Sequence, residues 1–130
     1  MSLYDLPDRQ ELEFLIGCEI TQVSLGRYQL ILNLHKQELL PVSVSISVES
    51  SMTISKDAVL QSWQPDSTFL ASLLFEFWDQ QITEYDYLPN NELSLTFGQY
   101  GAMVVRAKDD GYESYNVSYF DGVNNHLWVV

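Results

Sequence analysis

Two histidines, one cysteine and a few close carboxylate pairs are the side chains here with chemistry to offer. His35 and His126 are the candidates for proton transfer near neutral pH. His35 ends an alternating run and His126 follows the Asn124-Asn125 turn, which places both at strand ends on the surface. Cys18 is a single cysteine and cannot close an internal disulfide. No His–acid pair accompanies it, so it reads as a small buried apolar residue rather than a nucleophile.

Metal sites need clustered His, Cys and carboxylates. The sequence has no CxxC, HxxxH or HExxH. Asp109-Asp110-Gly111 with Glu113 lacks the alternating ligands of a calcium loop and reads as a solvated turn. Ser43, Ser45 and Ser47 belong to a strand's polar face, with no GxSxG and no Gly-rich phosphate loop near them. Glu84 and Asp86 stand two apart and share one strand face. A carboxylate pair can hydrolyse glycosides, but the spacing fits an exposed strand face equally well. Asn116-Val117-Ser118 matches a glycosylation acceptor, accidental where no secretory signal leads the chain. The expectation is a protein that is not an enzyme and holds neither cofactor nor metal.

Charge is the stronger signal. Eighteen acids face six bases, for a formal charge of −12. A nucleic-acid partner would need lysines and arginines to neutralise its phosphates, and an anionic membrane would repel this surface. The imbalance is steepest from Asp66 onward, where ten acids face Arg106 and Lys108. There, Tyr85, Tyr87, Tyr112 and Tyr115 alternate with Glu84, Asp86, Asp109, Asp110 and Glu113. Tyrosine suits interfaces because a large ring costs little entropy to fix. Acids around it steer a basic partner inward. These nine residues are the candidate partner-binding set.

The elements that must hold them are mostly strands. A chain of 130 residues fits one domain, 1–130. Aromatics at 13% favour β structure. No apolar run is long enough to span a bilayer, and the first residues carry neither a basic nor an apolar leader region, so cytoplasmic residence is expected. Pro7 to Ile16 reads as a short helix, with Leu12, Leu15 and Ile16 as its stripe and Gly17 as its stop. Two strands follow around Gly26-Arg27, the second carrying Tyr28, Leu30, Leu32 and Leu34. Val42, Val44, Ile46 and Val48 then alternate with serines without a break. Met52 and Ile54 extend the sheet, Lys56 to Ser67 forms a connector that folds Trp63 onto the body, and Ser67 to Trp78 forms a second helix.

Beyond that helix the pattern returns. A shift of 62 carries Ile20, Val23 and Leu25 onto Ile82, Tyr85 and Tyr87. A shift of 63 carries Leu30, Leu32 and Leu34 onto Leu93, Leu95 and Phe97. The reading is an internal repeat of helix, hairpin and strand over 7–48 and 67–107, completed by a C-terminal hairpin over 112–130. Neither unit can bury its own sheet face. The fold class expected is mainly β (α+β), a β-sandwich or partly open barrel with two short helices.

Leu15-Ile16-Gly17 with Ile20, then Leu93, Leu95 and Phe97, then Tyr112-Glu113 with Tyr115 resemble the motifs of a family of small, uncharacterised bacterial domains. The resemblance covers about residues 12–120. Tyr115 stands where that family usually has Trp, and Gly98-Gln99 where it usually has an Asp-Gly turn. The resemblance transfers no catalytic residue. In size and charge the chain is also similar to bacterial toxin-immunity proteins, which implies an inhibitor of a basic toxin. The function expected is thus a non-catalytic acidic protein-binding domain. The alternatives are a homo-oligomer assembled through sheet edges and a small-molecule-binding β domain.

Overall fold

The computed structural model describes residues 9–37, 42–56, 59–64, 76–88, 91–107, 114–120 and 123–130. Ten antiparallel strands dominate it: β1 Glu19–Leu25, β2 Leu30–Lys36, β3 Val42–Val48, β4 Ser51–Lys56, β5 Val59–Trp63, β6 Glu84–Leu88, β7 Glu92–Phe97, β8 Gly101–Arg106, β9 Tyr115–Phe120 and β10 Asn125–Val129. They form two five-stranded sheets. The first runs β1-β2-β3-β9-β10 and the second β5-β4-β8-β7-β6.

Alternation explains why these segments are strands. Side chains on a strand point to opposite faces in turn, so a strand with one buried face reads apolar at every second residue. In β3, Val42, Val44, Ile46 and Val48 are buried while Ser43 is exposed and Ser45 and Ser47 are half-buried. Leu30, Leu32 and Leu34 of β2 lie directly opposite Val48, Ile46 and Val44. On the second sheet Leu93 and Leu95 face Val105 and Met103. All of these belong to one buried cluster fed by the inner faces of both sheets. Each such aliphatic side chain contributes about 1.5–3 kcal/mol on burial.

Among the described residues the architecture is mainly β, as the alternation implies, with almost no helix and no closed barrel. Among the described residues the helical element at the start is a seven-residue 3-10 helix, Arg9–Leu15. Leu12 and Leu15, both fully buried, are three apart, and three residues per turn put them one above the other. The second expected helix lies outside the described residues up to position 75, and Glu76 to Asp79 form a turn. The sheets touch through backbone at one corner. There Glu19 bridges Gln81, Gly17 N–H donates to Ile82 O at 2.8 Å, and Ile82 N–H donates to Cys18 O at 2.9 Å. Gly17 takes a φ of 91°, a conformation open to glycine.

Two smaller expectations also change. Val59–Trp63 is the strand β5 rather than a connector. It is a sheet edge held by its ladder to β4, and among its five residues Trp63 reaches the core, so no apolar alternation marks it. Tyr28 is not on β2. Gly26 N–H donates to Gln29 O at 2.8 Å, which closes a turn and leaves Tyr28 exposed beneath the Arg27 guanidinium.

The expected repeat of helix, hairpin and strand is not confirmed by the fold. Units 7–48 and 67–107 each contain a three-stranded meander. The hairpin that follows each meander, β4-β5 or β9-β10, joins the other sheet.

Candidate functional site

The candidate acidic face divides in three. Glu84, Tyr85 and Asp86 lie on β6, an outer strand of the second sheet. Glu84 and Asp86 are exposed, and Tyr85, between them, turns inward and is buried. Tyr87, in the same strand, pairs with Leu93. Tyr115 lies on β9 of the first sheet and is fully buried. Its hydroxyl donates to Asn91 O at 2.7 Å. Asp109, Asp110, Tyr112 and Glu113 lie outside the described residues.

Tyr85 and Tyr115 therefore hold the fold together, because a large ring that fills a core while its hydroxyl finds a partner is a core residue. That placement was invisible in spacing, since acidic neighbours in the sequence surround these tyrosines as they would exposed ones.

The structure also adds a residue to the β6 face. Tyr85 Oη donates to Glu13 Oε2 at 2.6 Å. This brings an exposed carboxylate of the leading 3-10 helix to the strand's inner side. Glu13, Glu84 and Asp86 thus line one shallow groove of about 520 Å³, floored by Thr83, Ser94 and Thr96. Glu13 and Tyr85 are 72 residues apart, and no sequence spacing links them.

Cations placed nearby are engaged elsewhere. Arg106 Nη1 meets Glu92 Oε2 at 2.8 Å and Lys56 Nζ meets Glu76 Oε1 at 3.3 Å. Lys36 Nζ donates to Ile16 O at 2.9 Å. The Tyr100 hydroxyl, and after it the Glu76 carboxylate, hold the Lys56 ammonium above its ordinary pKa against the lowering effect of burial. Among the described residues that line the groove, the charged side chains are the three carboxylates. Grouped carboxylates favour the approach of a positive charge.

Cys18 is buried and its thiol donates to Phe14 O at 3.4 Å. Among the described residues no group of three His, Cys, Asp or Glu could hold a metal ion. Among them, too, no helix is long and apolar enough to cross a membrane. No family model matches the chain, and neither a curated protein nor a solved structure does.

Proposed function

We propose that this chain is a non-catalytic binding domain for a basic protein, and that β6 with Glu13 is its contact edge. The observation that carries the reading is the meeting of Glu13, Glu84 and Asp86 in one groove beside a strand at the sheet's rim. An outer strand offers backbone donors and acceptors to an incoming strand. Carboxylates beside that edge select a partner rich in lysine and arginine and speed its approach. An immunity-type inhibitor that covers a toxin's basic surface is the specific form of this reading.

The test is a pull-down from native lysate at low and high salt, with the wild type beside Glu84→Lys/Asp86→Lys. A basic protein held at low salt by the wild type and lost from the double variant supports the reading. Equal retention by both removes β6 from the contact.

We also infer that the domain arose by duplication of a five-stranded unit, longer than the segment first read as the repeat. Pairing registers support this. Leu30↔Val48 and Leu32↔Ile46 correspond to Leu93↔Val105 and Leu95↔Met103. Val23↔Leu32 corresponds to Tyr85↔Leu95. Across the exchanged hairpins, Val48↔Tyr115 and Ile46↔Val117 correspond to Val105↔Met52 and Met103↔Ile54. Even a local detail repeats: the hydroxyls of Thr21 and Thr83 each donate at 3.2 Å to a carbonyl on the neighbouring strand, of Asn33 and Thr96. A one-residue slip would turn a strand's apolar side chains to water, so a register kept at five places is a demanding match.

A further inference from the structure

The outer face of the first sheet carries a concavity of about 740 Å³. This lies in the range of small-molecule sites. Two consecutive rungs of the sheet floor it. One runs His35, Ser43, Phe120, Asn125 across β2, β3, β9 and β10, and the next runs Asn33, Ser45, Ser118, Leu127. Strands are spaced at about 4.8 Å, so each rung sets four side chains across roughly 14 Å.

The lining is unusual for this molecule. The chain has eighteen acids and six bases, yet among the described residues that line this concavity none carries a carboxylate, ammonium or guanidinium. What the floor offers instead is hydroxyls and amides, groups that can both donate and accept. Beside them stands Phe120, with 40% of its surface exposed, next to Leu127 with 62%.

The second sheet supplies an internal comparison. By the matching registers, Asn33, Ser45 and Ser118 correspond to Thr96, Ala102 and Ser55, and Ser43 corresponds to Tyr100. Those counterparts line a hollow of only about 270 Å³. There the ring of Tyr100 occupies the space: it packs edge-on against Phe77, with centroids 5.1 Å apart, and the Lys56 ammonium sits 4.5 Å from its centre. The first sheet has a serine hydroxyl where the second has that ring. The smaller hollow has the Lys56 ammonium in its lining, and the described lining of the larger has no fixed charge.

We propose that the outer face of the first sheet is a binding site for a neutral polyhydroxylated ligand, a saccharide. A sugar presents hydroxyls around its edge and C–H groups on its face. The Ser and Asn rungs match the edge, and Phe120 matches the face. Among the described lining residues a phosphate or carboxylate ligand would find no fixed cation, and a cationic ligand no carboxylate.

The experiment uses the full ¹⁵N-labelled chain titrated with maltose, cellobiose and lactose at millimolar concentrations. A uronic-acid disaccharide and an amino-sugar disaccharide serve as charged comparators. The expected result is saturable shifts confined to amides around Asn33, Ser45, Ser118, Phe120 and Asn125 with at least one neutral sugar. Both charged comparators should bind at least about tenfold more weakly. Ser43→Tyr, which installs the ring found at Tyr100, and Phe120→Ala should each weaken binding by about tenfold or more, the size expected for a central contact. Both positions are exposed, and Phe120→Ala alone decides the matter if Ser43→Tyr does not fold. No saturable shift with any neutral sugar overturns the proposal. So does unchanged binding in Phe120→Ala, or tighter binding of a charged comparator.

Discussion

Single residues here are constrained by what stands opposite them on another strand. A Cβ added at Gly101 would meet the Ser55 carbonyl oxygen, a backbone atom, and Phe77 Cζ at 2.7 Å. Its counterpart by register is Val44, a buried valine. Phe77 takes the space that a side chain at 101 would need. Gly101→Ala should therefore lower stability by about 1–3 kcal/mol, the usual cost of overpacking. Urea unfolding measures it, and a variant as stable as wild type would mean that the ring can retreat. Tyr115→Phe keeps the buried ring and removes the hydrogen bond to Asn91 O. It should cost about 1 kcal/mol, and Tyr115→Ala about 3–5 kcal/mol. A near-neutral Tyr115→Ala would contradict the placement of that ring in the core. At this scale the sequence was least informative. Nothing in a run of tyrosines among acids separates Tyr115, in the core, from an outward ring. Nothing but the fold brings Glu13 to Tyr85.

Elements were legible in proportion to how unequal their two faces are. β3 is plain in the sequence because valine and serine alternate with no irregularity. β5 is hidden because, as an outer strand, it leaves Val59 and Leu60 exposed and is defined by backbone pairing instead. β1 is blurred by a bulge between Ile20 and Gln22, which breaks the two-residue period. The concavity on the first sheet was unreadable for a related reason: its residues come from five strands, at most three from each. The end of β4 also carries a titration. Lys56 holds its proton more tightly in the fold, chiefly through the Tyr100 hydroxyl and then through Glu76. A lysine whose folded pKa is raised contributes stability that is complete below its unfolded pKa. That contribution is lost as pH rises through the higher folded value. Tyr100→Phe should accordingly melt below wild type at pH 8, and the gap should narrow as pH rises toward 11. Thermal melts stepped from pH 8 to 11 test this, and a gap that does not change with pH would show that Lys56 is not held by that hydroxyl.

At the scale of the whole molecule, the exchange of hairpins makes each half dependent on the other. The first half supplies β1-β2-β3 to one sheet and β4-β5 to the other, and the second half does the converse. Neither half alone can complete a sheet or bury its apolar face. The seam is also polar at one point. Ser114 O accepts from Glu49 N–H at 2.9 Å and Ser50 N–H at 3.0 Å, while Ser50 Oγ donates to Arg106 O. Ser50 and Ser114 are both buried, so these bonds satisfy groups that would otherwise be stranded. The apolar spacing that suggested a repeat was visible in the sequence because register fixes which positions are apolar. β5 was not part of that pattern, because it leaves Val59 and Leu60 exposed. A chain cut between Gln64 and Glu76 should thus behave as two interdependent fragments. Each alone should lack native near-UV circular dichroism as a monomer. An equimolar mixture should recover it and sediment as a one-to-one complex. Since the two meanders keep the same registers, a fragment at high concentration should also pair with itself, more weakly. In the self-paired first half Val48 would face Met52 in place of Tyr115, and the hydrogen bond to Asn91 would be absent. A half that folds cooperatively as a monomer would refute both the interdependence and the duplicated five-stranded unit from which it is argued.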